Sequence, residues 1–335
     1  MDKKILIISN SDDLHVDLVV EQLIVKGVSY FRLNLDQFPA HYEIDMQYED
    51  GAPNGALRHL PTQSSVEAVE VGAVWTRKSA DFKFSNDELG AQELAYAKAE
   101  TEHILTSLLL TLDGYWMNHP LATRCAMWKG EQLLRAARAG FKVPPSLATT
   151  RGEAVRRFRA AVGGEIIFKP LSSPDLGADL VDHADRVSPG LATTLITDEH
   201  DEMLDALSVI PGFFQQHIPK RYELRVTVIG QSVFAASIHS QDDERTRTDY
   251  RDFSAEIRYE TADLPLDVQH RCRDFVHSYG LMYGALDLIV TPAGDYVFLE
   301  NNPAGQFLFV EQLVPELRMI DAVVECLIAG ARPSV

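Results

Sequence analysis

Gly284-Ala285-Leu286-Asp287-Leu288-Ile289-Val290 is followed, across Pro292 to Asp295, by Tyr296-Val297-Phe298-Leu299-Glu300-Asn301-Asn302-Pro303. Two apolar runs joined by a Pro/Gly/Asp turn predict a pair of antiparallel strands. Side chains alternate along a strand, so Glu300 and Asn302 share a face, and the pairing brings Asp287 to it. A solvated hairpin is the ordinary meaning of a lone acid, but carboxylates set among Leu, Ile, Val and Phe are costly to bury unpaired. Three converging oxygen ligands suit hard Mg²⁺ with phosphate and water, and zinc's preferred nitrogen and sulfur are missing.

Outward from that hairpin the chain reads as mixed α/β (α+β). Lys4 to Ser9 is strand-like, and Leu14 to Val25 has helical spacing. Strand-length pieces follow at Tyr30 to Leu35, Tyr42 to Tyr48 and Ala73 to Trp75, with a turn expected at Gly51 to Gly55. Helices are expected at Glu88 to Leu112, Ala122 to Ala139, Gly152 to Ala161, near Glu202 to Ser208, Asp267 to Tyr279 and Val314 to Ala329. Further strands are expected at Glu165 to Lys169, Phe213 to Ile218, Glu223 to Ile229 and Val233 to Ile238. The pattern divides at 1–120, 121–212 and 213–335. No G-x-G-x-x-G follows the first strand, so a dinucleotide site there has little support.

The 335 residues carry a formal net charge of -18, and the acidic balance argues against phosphate-driven nucleic-acid binding, which needs a basic surface. Cys125, Cys272 and Cys326 are far apart and without metal spacing, which reads as reduced thiols in a cytoplasmic protein. The opening MDKKILIISNSDD is too short in its apolar run for a membrane span or signal peptide.

Other candidates gain meaning from their order. Lys169 ends an apolar strand before Pro170 and a Ser/Pro/Gly loop, Leu171 to Ala178, where its ammonium can meet phosphates; Lys129 lies on a basic helix. Either alone is usually a surface lysine. Phe213-Phe214-Gln215-Gln216-His217-Ile218-Pro219 runs into a Pro-broken hinge whose backbone can serve an adenine edge, although a core strand and turn reads equally well. Glu223 and Arg225 share a strand face, an acid for ribose hydroxyls beside an arginine for phosphate charge.

The order Lys129, Lys169, Gln215 to Ile218, Glu223, Asp287, Glu300 and Asn302 resembles the ATP-grasp ligases over the last two-thirds of the chain. The resemblance implies lysines on ATP phosphates, adenine on Gln215, Gln216, His217 and Ile218, ribose on Glu223, and Mg²⁺ on Asp287, Glu300 and Asn302. The arginine many such enzymes place two residues before the first metal acid is Ala285 here, and Arg225 is the candidate substitute. A narrower resemblance, over nearly the whole chain, is to the graspetide synthetases, with an N-terminal pre-ATP-grasp domain. It is carried by Phe31 to Pro39, Trp116 to Pro120, Phe213 through Gly230, Ile238 to Gln241, Asp249-Tyr250-Arg251 and Glu300 to Glu311. Two positions depart from that pattern: Tyr250 stands where Trp is common, and Ala304 where a polar residue is.

That resemblance implies a cytoplasmic, homodimeric enzyme that uses ATP and Mg²⁺. Its substrate would be a ribosomally made precursor peptide, whose Asp or Glu side chains are joined to Ser, Thr or Lys. Asp201 and Asp205, with Asp198 and Glu199, would greet the leader near 190–210, and Arg247, Asp249, Arg251 and Arg258 the core. For any one acid there, a solvated helix face is the ordinary meaning. Two other readings stand beside it: a ligase that adds free amino acids, and a degenerate nucleotide or peptide binder. No G-x-S-x-G elbow or Cys/His nucleophile competes.

Overall fold

The computed structural model describes residues 3–49, 52–172, 193–251 and 254–332. β1 (Lys4–Ser9) is buried along almost all its length, as befits a central parallel strand covered on both faces. Asp13 caps α1 (Leu14–Val25) by accepting the His15 N–H, and the chain returns as β2 (Tyr30–Asn34). A small antiparallel sheet follows: β3 (Tyr42–Glu49), β4 (Ala52–His59) and β5 (Ser65–Glu67). Residues 52–55 therefore belong to a strand and not to the expected turn, while residue 51 lies outside the described residues. A Cβ at Gly55 would meet Met46 Sδ at 2.5 Å and Leu108 at 2.7 Å, so a larger residue there would push those two side chains aside. β6 (Val71–Thr76), α2 (Ala91–Leu110) and β7 (Tyr115–Met117) complete a parallel sheet of order β2-β1-β6-β7, in which the chain order reverses between β1 and β6.

Two helices, α3 (Pro120–Cys125) and α4 (Lys129–Arg138), replace the single one expected. The Gln132 side chain donates to the freed Ala126 carbonyl at 2.6 Å, and Lys129 becomes the first residue of a helix instead of lying inside one. β8 (Ser146–Thr149), α5 (Gly152–Val162), β9 (Ile166–Lys169), β10 (Thr194–Leu195) and β11 (Gly212–Gln216) follow. These strands form an antiparallel sheet of order β10-β9-β11-β8. Val155, Ile166, Ile196, Leu204, Leu207 and Phe214 make its small core.

The third unit comprises β12 (Tyr222–Ile229), β13 (Ser232–Ile238), β14 (Tyr259–Thr261), α6 (Leu266–His277), β15 (Tyr283–Val290) and β16 (Tyr296–Asn302). Its antiparallel order is β14-β13-β12-β15-β16. Leu133 and Ala136 of α4 and Phe275 and Val276 of α6 pack with Leu286, Leu288 and Phe298 of this sheet. Each of the Leu, Val and Phe side chains contributes roughly 1.5–3 kcal/mol by leaving water. The chain closes with α7 (Leu308–Leu313) and α8 (Met319–Ala331), in place of one helix from Val314. Pro315 and Arg318, the latter at φ 46°, set the corner between them. Val323, Val324 and Leu327 of α8 share one core with Ile5, Ile7 and Val19, so the end of the chain completes the layer begun at its start.

Candidate functional site

The expected strand pair is formed, and Asp287 stands directly opposite Glu300. A bulge follows, for Leu288 pairs with Phe298 and leaves Leu299 as the extra residue. The consequence is that consecutive residues Leu299 and Glu300 both line the same cleft. That cleft lies between the antiparallel sheets and is also lined by Lys169, Gln215, Gln216, His217, Ile218, Glu223, Asp249, Arg251 and Asp287. Glu300 additionally faces an adjoining recess with Lys129 and Asn302.

Cations collect here on an otherwise acidic protein. Arg225, buried beneath the cleft, donates through Nη1 to Asp287 Oδ1 at 2.8 Å and through Nη2 to the Gln306 carbonyl at 3.1 Å. Lys129 Nζ lies 3.2 Å from Glu300 Oε2 and donates to the Pro170 carbonyl at 2.8 Å. Burial pushes the Asp287 carboxyl up, opposed by Arg225 and reinforced by the neighbouring Glu300 charge. Burial acts on Glu300 in the same direction, but the charges of Lys129, Lys169 and Arg251 outweigh it and hold Glu300 below its ordinary value. Lys169 is itself pushed down by burial, resisted by Glu300. Anionic phosphates entering such a site would meet cations already in place, at little cost of reorganisation.

The hinge differs in detail from the expectation. The Gln216 N–H donates to Pro145 O and the His217 N–H to Glu165 O, both at 2.9 Å, so those donors are spent within the protein and are not free for a base. Gln215 Oε1 is buried and has no partner among the described residues, which leaves one acceptor for a ligand amino group. Glu223 is buried and accepts from Lys220 and Ser240; burial raises its carboxyl, with Lys220 opposing.

Asp249 and Arg251 clasp each other by two bonds of 2.8 Å at the cleft rim. Against the opposing pull of burial, Arg251 holds the Asp249 carboxyl at about 2. Other expected residues fall elsewhere. Arg247 is half-exposed, 3.4 Å from Glu244, and does not line the cleft. Asp201 and Asp205 pair with Arg156 at 3.0 and 3.6 Å, beside a separate groove between α5 and Ile196. Asn302 is exposed, with Oδ1 accepting from the Ala304 N–H at 3.0 Å. Of the expected phosphate-covering loop, residues 173–178 lie outside the described residues, as do 190–192 of the docking region.

Sequence reasoning missed Lys220, three residues before Glu223, and gave Tyr250 no role. Both line the cleft, and burial beside Asp287 raises the Tyr250 phenol. The i, i+3 spacing of Lys220 and Glu223 within a Pro-bounded turn was the available signal.

Among the described residues no three His, Cys, Asp or Glu side chains stand together as a metal cage. A cation here would rest on Asp287 and Glu300, with Asn302 and ligand oxygens completing its shell. That donor set suits Mg²⁺, which binds through one or two carboxylates plus phosphates and water. No helix among the described residues is long and apolar enough to cross a membrane.

Residues 4–124 match the family model of the MvdD pre-ATP-grasp domain. Among solved structures, the chain is similar to macrocyclase MdnC from Microcystis aeruginosa MRC, bound with precursor peptide MdnA. The identity is 28% and the TM-score 0.84, over 97% of this chain and 99% of that one. It is similar to a RiPP-associated ATP-grasp ligase of Chryseobacterium gregarium in complex with ADP and a leader and core peptide, at 28% identity and TM-score 0.87, over 99% of each chain. It is also similar to ATP-grasp ligase PsnB complexed with a phosphomimetic variant of minimal precursor, Mg and ADP. There the identity is 25% and the TM-score 0.76, over 99% of this chain and 100% of that one. A search of curated proteins found no match.

Proposed function

We propose that this chain, which belongs to the graspetide-synthetase family of ATP-grasp ligases, activates Asp or Glu side chains of a ribosomally made precursor peptide as acyl phosphates and joins them to Ser or Thr hydroxyls or Lys amines. The observation that carries this reading is the pairing of Asp287 with Glu300 in a cleft toward which Lys129, Lys169, Arg225 and Arg251 converge.

A carboxylate is a poor electrophile because its oxygen leaves badly. Transfer of the terminal phosphoryl group of ATP makes that oxygen part of a phosphate, which departs when the hydroxyl or amine attacks. The products are ADP, phosphate and an ester or amide. Such a reaction needs alignment and charge neutralisation more than a protein nucleophile. In our reading Lys129 and Lys169 hold the phosphates, and Arg225 meets charge as it develops on the transferred group. The hinge Gln215 to Ile218 takes the base through the Gln215 amide oxygen and its backbone carbonyls, the Gln216 and His217 N–H groups being engaged elsewhere, and Glu223 takes the ribose. Asp287, Glu300 and Asn302 would hold Mg²⁺, which when bound neutralises phosphate charge and polarises the group being transferred. Asp249 and Arg251 at the rim meet the acidic core of the peptide, and Asp201 and Asp205 the leader. The chain acts as a cytoplasmic homodimer; a single monomer mass in solution would refute that part.

The test is to incubate the protein with ATP, Mg²⁺ and candidate precursors bearing an Asp/Glu-rich and Ser/Thr/Lys-rich core. Peptide-dependent ADP release and a mass lower by one water per bond are expected. A mass raised by an amino-acid residue would assign the chain to amino-acid addition, and no peptide-dependent ADP release across the panel would leave a binding protein.

A further inference from the structure

In an open parallel sheet, ligands ordinarily bind beyond the carboxyl ends of the strands, where the chain order reverses. Here that place lies between β1 and β6, and the polar residues around it, Ser9, Asp13, His15 and Arg77, are buried. What fills it is the chain's own segment 303–308, which follows the strand carrying Glu300. Arg77 Nη1 donates to the carbonyls of Ala304 at 2.9 Å and Gly305 at 3.1 Å, and its Nε lies 3.4 Å from Asp13 Oδ2. His15 Nε2 accepts the N–H groups of Phe307 at 3.3 Å and Leu308 at 3.2 Å. The imidazole proton is thereby placed on Nδ1, 3.2 Å from Asp13 Oδ1. Ser9 Oγ holds the other Asp13 oxygen at 2.6 Å.

The same segment reaches the reaction site from its opposite side. Gln306 O accepts from Arg225 Nη2 at 3.1 Å. Arg225 Nε has no partner among the described residues, so Asp287 and this carbonyl set how the guanidinium points. A stretch without ladder hydrogen bonds keeps its shape only if its backbone groups find partners elsewhere. The Tyr283 hydroxyl donates to Gly305 O at 2.6 Å and the Asn118 amide to Pro303 O at 2.9 Å, and His15 and Arg77 add further side-chain partners from the N-terminal sheet.

The geometry points to His15 and Arg77 as positioning residues for the ligase reaction, which clamp residues 304–308 and through them fix the Arg225–Asp287 pair. In its catalytic meaning this rests on the function proposed above. Misplacing a catalytic group by about 1 Å costs on the order of 100-fold in rate, so the clamp belongs in kcat and not in nucleotide affinity. Burial keeps His15 neutral by lowering its pKa. Asp13 resists, and the charges of Arg77 and Lys78 push the same way as burial. Protonation would turn Nε2 into a donor facing two N–H groups. The clamp is therefore whole above that lowered pKa and opens as pH falls through it.

Kinetics and amide exchange on the full chain test this. His15→Phe keeps a ring and loses the acceptor; kcat should fall about 100-fold with KM for ATP within about twofold, and the Phe307 and Leu308 amides should lose protection. His15→Gln offers an acceptor that does not titrate. It should keep kcat within about threefold of the parent and flatten the acid limb of the pH profile. Unchanged kcat in His15→Phe, or a His15→Gln profile that overlays the parent, overturns the proposal. If His15→Phe does not fold, the His15→Gln profile decides. Failure of the parent to make any product would refute the proposed function and the catalytic role together, and exchange at Phe307 and Leu308 would still read whether the contact exists.

Discussion

The neighbourhoods of Arg225 and Arg156 are built from similar parts, a guanidinium on an aspartate with a second carboxylate nearby. Around Arg225 the side chains are 8% exposed for the arginine and 18% for Asp287, with Glu300 opposite and lysines behind it. Around Arg156 the figures are 35% for the arginine, 50% for Asp201 and 81% for Asp205. Exposed ion pairs are screened and worth little, whereas charges withdrawn from water interact strongly and must be compensated. The first cluster therefore holds its charges in fixed positions against one another and can receive a phosphate or a metal. The second can meet a charged partner only as a soft, salt-sensitive surface.

Substitution tests that contrast. The largest effect is expected from Glu300→Gln or Asp287→Asn: product formation should fall on the order of 10³-fold or more while the circular dichroism spectrum stays that of the parent, and full activity in either would remove the metal assignment. Arg225→Lys retains charge and loses the two-point hold on Asp287 and Gln306; about 100-fold lower kcat is expected in single-turnover assays. Smaller again, Arg251→Ala should lower peptide turnover about tenfold with the nucleotide Kd changed less than about twofold. Equal losses of both would count against a peptide role at the rim. Asp201→Asn with Asp205→Asn should leave nucleotide binding alone and weaken precursor binding only a few-fold, less so at high salt. A loss comparable with that of Glu300→Gln would collapse the distinction between the two neighbourhoods.

Much of this was legible in the residue order. β1 and α1 fall where their apolar spacing put them, because local patterning suffices for an element buried on a regular face. The opposition of Asp287 and Glu300 was readable for the same reason, since a short turn fixes hairpin register. Lys129 was found, but its place at the start of α4 was not, because the break at Ala126 depends on a bond from Gln132 that no periodicity announces. The hold of His15 and Arg77 on segment 304–308 was invisible: those partners are 227 to 293 residues away and are backbone atoms, which leave no trace in side-chain pattern. The engagement of the Gln216 and His217 N–H groups was hidden likewise, since Pro145 and Glu165 claim them from other segments.

The extra residue Leu299 has a consequence for how this strand can change. Because Leu299 is the residue without a partner across the ladder, its loss would leave Glu300 opposite Asp287 and Asn301 turned inward, and would only make the pairing regular. One residue lost after Glu300 would instead carry Asn302 to the inward place of Asn301. The strand thus holds a single residue of slack, set just ahead of the acid it bears.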